Sequence, residues 1–367
     1  MSPQIKNITE KENKLFYTLS NVNVSIANGL RRSIISDIPT VVFKTAPYEE
    51  SKATITSNTS RFNNEVIKQR LSCIPIHITD LEMPLKNYIM ELDVENTTDA
   101  IMYVTTEDFK IKNLTTDEYL SEKDTQNIFP PNSMTGYFID FIRLRPKISD
   151  DIPGEKIKMT CEFTIATPKE DSMFNVVSTC SYGYTQDPSG VEEQLRKKIQ
   201  EWKDAGMSKE DVEFETKNWR LLEAQRVVVN DSFDFTIESV GVFTNKELVD
   251  KGCDAITNKI EKFDSLLGEN SVDMNASDNT MSNSYDIILV NEDYTLGKVM
   301  EYFLYTKFYE GVKTLSFCGF KKMHPHDTDS IIRVAYKEPV EKSNIKQNLK
   351  ECIVDALEVY NKIKQKM

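Results

Sequence analysis

The sequence has few of the residue types and none of the short motifs by which many enzymes and metal-binding proteins are recognised. It has 12 glycines, three histidines and two tryptophans among 367 residues, and its six cysteines are dispersed without a Cys-x-x-Cys pair. Dispersed cysteines favour reduced thiols over a disulfide framework. No glycine-rich phosphate loop, Gly-x-Ser-x-Gly elbow or His-Glu-x-x-His motif occurs. We therefore predict no catalytic residues.

Long apolar runs are missing as well. No stretch of about 18 apolar residues occurs that could span a membrane. The start, Met-Ser-Pro-Gln-Ile-Lys, lacks a basic region followed by an apolar run, so we expect no secretion signal. Positive charge is also in deficit, with 45 Lys and Arg against 58 Asp and Glu. A net charge of −13 argues against nucleic acid as a direct partner and fits a chain that binds other proteins.

One metal-like grouping occurs in the sequence, Cys318 with His324 and His326. Its spacing, Cys-x5-His-x-His, matches no structural zinc pattern and lacks a fourth ligand. We interpret these histidines as turn residues and predict neither a metal nor a cofactor. An enzyme built on this cluster is the least favoured alternative.

What the sequence does contain is the same pattern twice, a strand followed by a short helix. Alternation over Lys14 to Ser20 predicts a strand, and Ile26, Leu30, Ile34 and Ile38 then form a helical stripe that stops at Pro39. Asp286 to Val290 and Thr295 to Thr306 repeat this plan, with Asp293 or Tyr294 near the helix N-cap. A long amphipathic helix follows later in both halves. The two halves could pack together as a dimer inside one polypeptide.

These patterns predict an α+β fold in five segments. A dimerisation domain has its first segment at residues 1–47 and its second at 231–267, separated by a mostly-β inserted domain at 48–230. Residues 268–283 have almost no large apolar side chain and are interpreted as a linker. Residues 284–367 form a second, small α+β dimerisation domain.

Two stretches are candidate binding surfaces. In Asn28-Gly-Leu-Arg-Arg32 the adjacent arginines point in different directions on a helix, so at least one is available to a partner's carboxylate. The alternative is an ordinary helix turn with solvated arginines. The second stretch, Asn63 to Ile76, runs from helical spacing into Ile-Pro-Ile; its alternative is an ordinary helix-to-strand corner.

These stretches resemble a known family. Leu19 to Asn23 with Ala27 to Thr40 resembles the opening of the third-largest subunit of eukaryotic RNA polymerase II, and is similar to the archaeal D subunit and the bacterial alpha N-terminal domain. Asn63 to Ile76 resembles that family's second signature, and Asn291 to Pro325 resembles the small eleventh subunit, the archaeal L type. Fusion of the two partners in one chain resembles the polymerases of large nucleocytoplasmic DNA viruses.

The resemblance implies a non-catalytic assembly platform that docks the largest and second-largest polymerase subunits, with other small subunits as further partners. The alternative is an alpha-like regulatory adaptor acting outside a polymerase. DNA would be contacted only through the complex, and the pseudo-dimer would be intramolecular, not a homo-oligomer. The viral resemblance implies the host cytoplasm and the virion as locations. Many relatives carry a cysteine-rich metal loop, but Cys73, Cys161 and Cys180 are too dispersed for one.

The resemblance also assigns residues to two roles. The residues expected to dock the large subunits are Asn28, Leu30, Arg31, Arg32, Asn64, Glu65, Arg70 and Pro75. The residues expected at the internal dimer interface are Leu30, Ile34, Leu296, Val299, Met300, Phe303, Ile256, Ile260, Phe263, Leu349 and Ala356.

Overall fold

The computed structural model of the chain describes residues 2–149, 152–278 and 280–367, and the fold is α+β with antiparallel sheets, as predicted. The helices are α1 (Val24–Ser36), α2 (Asn64–Ser72), α3 (Glu122–Ile128), α4 (Pro188–Asp204), α5 (Lys209–Leu221), α6 (Asn245–Gly268), α7 (Tyr294–Leu304) and α8 (Lys342–Lys366). The strands are β1 (Gln4–Lys11), β2 (Lys14–Ser20), β3 (Thr40–Val42), β4 (Ala53–Asn58), β5 (Tyr88–Glu95), β6 (Met102–Thr105), β7 (Lys110–Asn113), β8 (Glu118–Tyr119), β9 (Asp140–Leu144), β10 (Lys156–Glu162), β11 (Thr164–Ala166), β12 (Val177–Gln186), β13 (Val228–Ser239), β14 (Met274–Ala276), β15 (Ser284–Leu289), β16 (Leu315–Lys321) and β17 (Ser330–Tyr336).

The chain divides into two compact units. The first unit comprises the residues up to Ile34 together with 179–238 and 249–367, and the second comprises 35–178 and 239–248. The first unit therefore joins the beginning of the chain to its end. The second unit is inserted into it along the sequence.

One four-stranded sheet of the first unit has the order β1-β2-β13-β12. Glu12 and Asn13 link β1 to β2 with φ values of 52° and 62°, the left-handed conformation that a two-residue hairpin turn requires. Alternation in β2 sends Tyr17 to the core face, where its ring stacks on Phe235 of β13 at 5.0 Å between centroids. This sheet is completed by residues more than two hundred positions apart in sequence.

The other four-stranded sheet of the first unit has the order β14-β15-β17-β16. In both sheets a strand pair comes first, a helix follows its second strand, and the fourth strand in sequence lies between the second and third before a long helix. We call β1, β2, α1, β12, β13 and α6 the first repeat, and β14, β15, α7, β16, β17 and α8 the second repeat. The two repeats share one sheet topology.

The second unit is built on a five-stranded sheet of order β4-β10-β5-β7-β8, with two-stranded sheets β3-β11 and β6-β9. Its core buries Phe43, Phe109, Phe129 and Phe141, whose rings stack or meet edge to face. Helix α2 contributes Ile67 and Leu71 to the same core. Most of the regular structure in this unit is therefore β-strand.

The contacts differ from the predicted segments in two places. The first segment of the second unit ends at Ser178 and a short second segment covers 239–248, whereas the predicted insertion ran to residue 230. The difference arises because β12 is hydrogen-bonded to β13 in the sheet of the first repeat. Residues between these strands form α4 and α5, which bury Trp219 against Val191 and Leu195. The predicted linker at 268–283 contains β14, whose Met274 is buried. Polar composition concealed this short edge strand.

Candidate protein interface

The two repeats turn from strand to helix in the same way. Asn21 and Asn291 both adopt a left-handed conformation, with φ of 59° and 57°. Two residues later Asn23 accepts from the Ser25 N–H at 2.9 Å, and Asp293 accepts from the Thr295 N–H at 2.8 Å. Both side chains satisfy amides at a helix start that have no partner within the helix. Counted from these capping residues, Gly29 is equivalent to Val299, Arg31 to Glu301, and Arg32 to Tyr302.

Helix α1 approaches α7 and α8 closely at Gly29. We call the place where the helices α1, α6, α7 and α8 meet the crossing. A Cβ atom placed on Gly29 would lie 2.5 Å from the Tyr360 hydroxyl and 3.1 Å from Val299 Cγ2. The Tyr360 hydroxyl donates to the Ile26 carbonyl at 3.1 Å in the buried interior. Glycine is thus required here for space. Gly29 and its equivalent in the second repeat, Val299, face each other, as residues near a two-fold axis do.

Arg32 joins α1 to the cap of α7. Its Nη2 donates to Asp293 Oδ2 at 2.7 Å, and its Nε donates to the Thr295 hydroxyl at 2.9 Å. Burial acts to raise the pKa of Asp293, but hydrogen bonds from Thr295 and the positive charges of Arg32 and Lys259 outweigh it and bring the pKa to about 2. The carboxylate therefore stays ionised at neutral pH.

The equivalent of Arg32 in the second repeat is Tyr302. Burial raises the pKa of Tyr302, a hydrogen bond with Thr306 opposes the rise, and the charges of Asp231 and Glu310 add to it. The Asp231 carbonyl accepts from the Val22 N–H at 3.4 Å, beside the cap of α1. A residue of the first repeat therefore acts on Tyr302 through its charge, whereas Arg32 binds the second repeat directly.

Helices α6 and α8 complete the crossing. A Cβ on Gly252 of α6 would lie 2.4 Å from Ile34 of α1, so these helices also touch closely. Lys364 of α8 pairs with Asp254 of α6 at 2.5 Å. The eleven residues predicted for the internal interface all lie in these four helices, and every one is at most 6% exposed.

The docking residues predicted on α1 divide into two groups. Leu30 is fully buried, so its side chain is not available to a partner, and Arg32 is bound to Asp293. Arg31 and Asn28 are partly exposed, and Arg31 Nε donates to Asn28 Oδ1 at 3.0 Å. Sequence reasoning gave both arginines one role, whereas their contacts differ.

The docking residues predicted in the second unit lie around α2. Asn63 caps the helix by accepting from the Val66 N–H at 2.9 Å, and the following Asn64 and Glu65 are exposed. Arg70 donates to the carbonyls of Phe141 and Asp140 at 2.7 and 2.9 Å, at the register shift between β6 and β9. Arg70 thus binds the backbone at a point where the strand pairing is irregular. Pro75 is partly exposed beyond α2.

A residue that the sequence reasoning missed is Glu301, the equivalent of Arg31. Its Oε1 accepts from the backbone N–H of Phe320 in β16 at 3.1 Å, and Cys318 Sγ lies 3.8 Å from its carbonyl oxygen. In the first repeat, burial raises the pKa of Cys180 in β12 to about 12, and the positive charge of Arg31 acts in the opposite direction. The matching signal was in the sequence: Ser178-Thr-Cys180-Ser-Tyr182 parallels Ser316-Phe-Cys318-Gly-Phe320.

The Cys318, His324 and His326 grouping is not assembled as a metal site. The two imidazoles stack at 5.2 Å in an exposed turn, and burial raises the pKa of the Cys318 thiol to about 12. Across residues 2–149, 152–278 and 280–367, no three His, Cys, Asp or Glu side chains are grouped to hold a metal. Nor does any helix in these ranges have the length and apolar character needed to span a membrane.

Comparison with known proteins identifies the family to which the chain is similar. Residues 17–260 match the model for the RNA polymerase Rpb3/Rpb11 dimerisation domain. The chain is 27% identical over 288 residues to the DNA-directed RNA polymerases I and III subunit rpac1 of Dictyostelium discoideum, covering 67% of this chain and 76% of that one. Against the RPAC1 subunit of Bos taurus it is 24% identical over 298 residues, covering 69% and 81%. Against the subunit Rpo3 of Picrophilus torridus it is 24% identical over 182 residues, covering 48% and 62%.

The chain belongs to the RNA polymerase Rpb3/Rpb11 dimerisation domain family. It is a structural, non-catalytic assembly subunit of a DNA-directed RNA polymerase. The family match ends within α6 and does not include the second repeat.

Proposed function

We propose that the chain is an intramolecular pseudo-dimer, in which the second repeat takes the place of an Rpb11-type partner for the Rpb3-like first repeat. The observation that carries the proposal is the common topology, β1-β2-β13-β12 against β14-β15-β17-β16, within one compact unit. Both halves bury one helical stripe that an isolated half would expose. The predicted fusion, with residues 268–283 joining the partners, is the simplest account of this repetition.

Equivalent positions meet across the helix crossing, which supports the pseudo-dimer. Gly29 faces Val299, and Arg32 binds the cap of the opposite repeat. Contact between equivalent positions such as Gly29 and Val299 is the mark of a two-fold interface. Arg32 with Asp293 holds the first repeat to the second.

The pseudo-dimer serves as the platform on which the two largest catalytic subunits assemble. Arg31 and Asn28 offer the contact on the first repeat, with Leu30 and Arg32 supporting α1 from inside. Asn64, Glu65 and Pro75 offer a contact on the second unit, where Arg70 fixes α2 against β9. Relatives carry names of subunits of RNA polymerases I and III, which supports this assignment.

The test is co-purification of a tagged chain with the largest and second-largest subunits from the native source. Arg31→Ala should leave the chain folded and lower the recovery of the large subunits, whereas Asp204→Ala, on exposed α4, should leave recovery unchanged. A native chain isolated free of large subunits would favour the regulatory adaptor. If Arg31→Ala and a variant changed at Asn64 and Glu65 both recover the large subunits fully, the proposed docking surfaces are wrong.

The fusion is also the basis for a viral origin, with transcription in the host cytoplasm and the chain packaged in virions. Detection of the chain in purified virus particles, together with the large subunits, tests this. If the chain is absent from the particles, the proposal of packaging is wrong, while the proposed platform role is unaffected.

A further inference from the structure

The two sheets of the first unit have four outer strands, and three of them are protected against pairing with another chain. β1 carries Lys6, Glu10 and Lys11 and has a register shift between Lys6 and Thr9. β14 is three residues long. β16 ends in Lys321, and Glu301 occupies the N–H of its Phe320. Charge, irregular register and short length are the ordinary means by which sheet edges avoid unwanted strands.

The fourth outer strand, β12, has none of these protections. It is ten residues long, Val-Ser-Thr-Cys-Ser-Tyr-Gly-Tyr-Thr-Gln, and contains no charged residue. Ser181, Gly183 and Tyr184 are exposed, and a Cβ atom added to Gly183 would meet no other atom within 4 Å. A long, uncharged and uncovered edge presents free backbone groups to a partner.

Comparison of the repeats shows how one edge is closed and the other is left open. At equivalent positions α7 carries Glu301 and α1 carries Arg31, whose positive charge acts on Cys180 and Tyr182 of β12. The Glu301 carboxylate accepts a backbone N–H of β16, while Lys298 forms an ion pair with it. Arg31 has only N–H groups and cannot accept from β12. Within the described residues no carboxylate pairs with Arg31, whose one hydrogen bond is to Asn28.

We propose that β12 is the docking edge of the platform, and that an extended segment of a large polymerase subunit adds to it as a fifth strand with an acidic side chain on Arg31. This inference rests on the proposed function and names its contact. Backbone hydrogen bonds supply the affinity of strand addition and side-chain contacts supply its specificity.

The chemistry of the partner follows from the edge. A carboxylate fits the planar guanidinium of Arg31 with two parallel hydrogen bonds. Tyr184, 54% exposed, offers an aromatic surface to a residue of the added strand, while its ring contacts Phe233 at 5.2 Å. The preferred occupant is an extended segment with one Asp or Glu and an apolar residue near it.

Hydrogen–deuterium exchange on the full chain tests the inference, comparing the free chain with the purified polymerase that contains it. We expect amides of β12 to exchange at least about tenfold more slowly in the complex, as newly paired strands do, and amides of β1 to be unchanged. Equal exchange of β12 in both states would overturn the docking edge. A chain that enters no polymerase would instead overturn the proposed function, so the two failures are distinct.

A variant gives an independent reading. Gly183→Lys adds the kind of charge that protects the other edges, in open space, and should weaken binding of the large subunits by about tenfold. Ile8→Lys, on the opposite edge of the same sheet, is the matched control and should bind as the unchanged chain does. Equal binding by both variants, with unfolding curves like the unchanged chain, would count against β12.

Discussion

The two repeats share a topology but differ in what interrupts them. In the second repeat, β16 begins at Leu315, soon after α7 and its π-helical continuation Tyr305–Gly311. In the first repeat, most of the second unit separates α1 from β12 along the sequence, and α4 and α5 separate β12 from β13. The strand order is nevertheless the same. A sheet tolerates long insertions at its connections because closing a longer loop costs little additional entropy.

The repeats also carry different side chains at equivalent positions, and these differences allow the two repeats to fit each other. Gly29 against Val299 gives one small and one large residue at the closest approach. Asn23 against Asp293, and Arg32 against Tyr302, make the crossing asymmetric, because Arg32 and Asp293 form an ion pair that Tyr302 and Asn23 cannot form. The unlike halves fit each other through these substitutions.

The largest effect is expected from filling the space at Gly29. Gly29→Val places a side chain against the buried Tyr360 and Val299 and should lower the free energy of unfolding by about 3 kcal/mol. Combining it with Val299→Gly exchanges the equivalent residues, and the two changes should couple by about 1 kcal/mol in a double-mutant cycle measured by denaturant unfolding. Effects that simply add would show that these positions do not meet.

The second largest effect is expected at Arg32, and its neighbour Arg31 should contribute much less to stability. Arg32→Ala leaves the partly buried Asp293 carboxylate without the cation that pairs with it and should cost about 2 kcal/mol of unfolding free energy. Arg31→Ala is the matched control on the same helix and should stay within about 0.5 kcal/mol, because its side chain makes one local hydrogen bond. Thermal unfolding of both variants checks this. Equal destabilisation would mean that both arginines are structural.

Local patterns in the sequence were sufficient to predict many of the helices and strands. Alternation predicted Lys14–Ser20 as a strand, and the structure confirms it as β2. The polar β1 and β14 were missed, since edge strands bury little and their composition resembles that of loops. Their pairing depends on neighbours that a local window does not contain.

The site was less predictable than the fold because its contacts are distant in sequence. The helical stripes identified Leu30, Val299 and Met300 as buried residues, which they are. That Arg32 would bind Asp293 and Arg31 would not requires the geometry of the crossing, since both arginines look alike in sequence. Glu301 was overlooked for the same reason.

A change at the cap of α7 makes the second repeat like the first and tests the charge of that cap. The pKa of Asp293 is about 2 in the folded chain, against an ordinary value of 3.8. Because the folded-state value is lowered, the stabilisation is complete above about pH 4 and is lost as the pH falls through about 2; we expect roughly 1–2 kcal/mol, after allowance for solvent screening. Asp293→Asn, which copies Asn23, should remove that part of the acid dependence in unfolding measured between pH 5 and 2. The same acid profile in both chains would show that Asp293 is not the group responsible.

The smallest effect is expected at the hydroxyl that joins α8 to α1. Tyr360→Phe removes the hydrogen bond to the Ile26 carbonyl and keeps the buried ring, so unfolding should become easier by about 1 kcal/mol. Tyr336→Phe, which removes the bond from Asn348 within the second repeat, is the control for losing a hydroxyl away from the crossing. If the crossing joins the repeats, Tyr360→Phe alone should speed dissociation of the two halves after a protease site inserted after Ser271 is cut. Equal dissociation of the nicked variants would mean that this bond contributes to the fold of the chain without holding the repeats together.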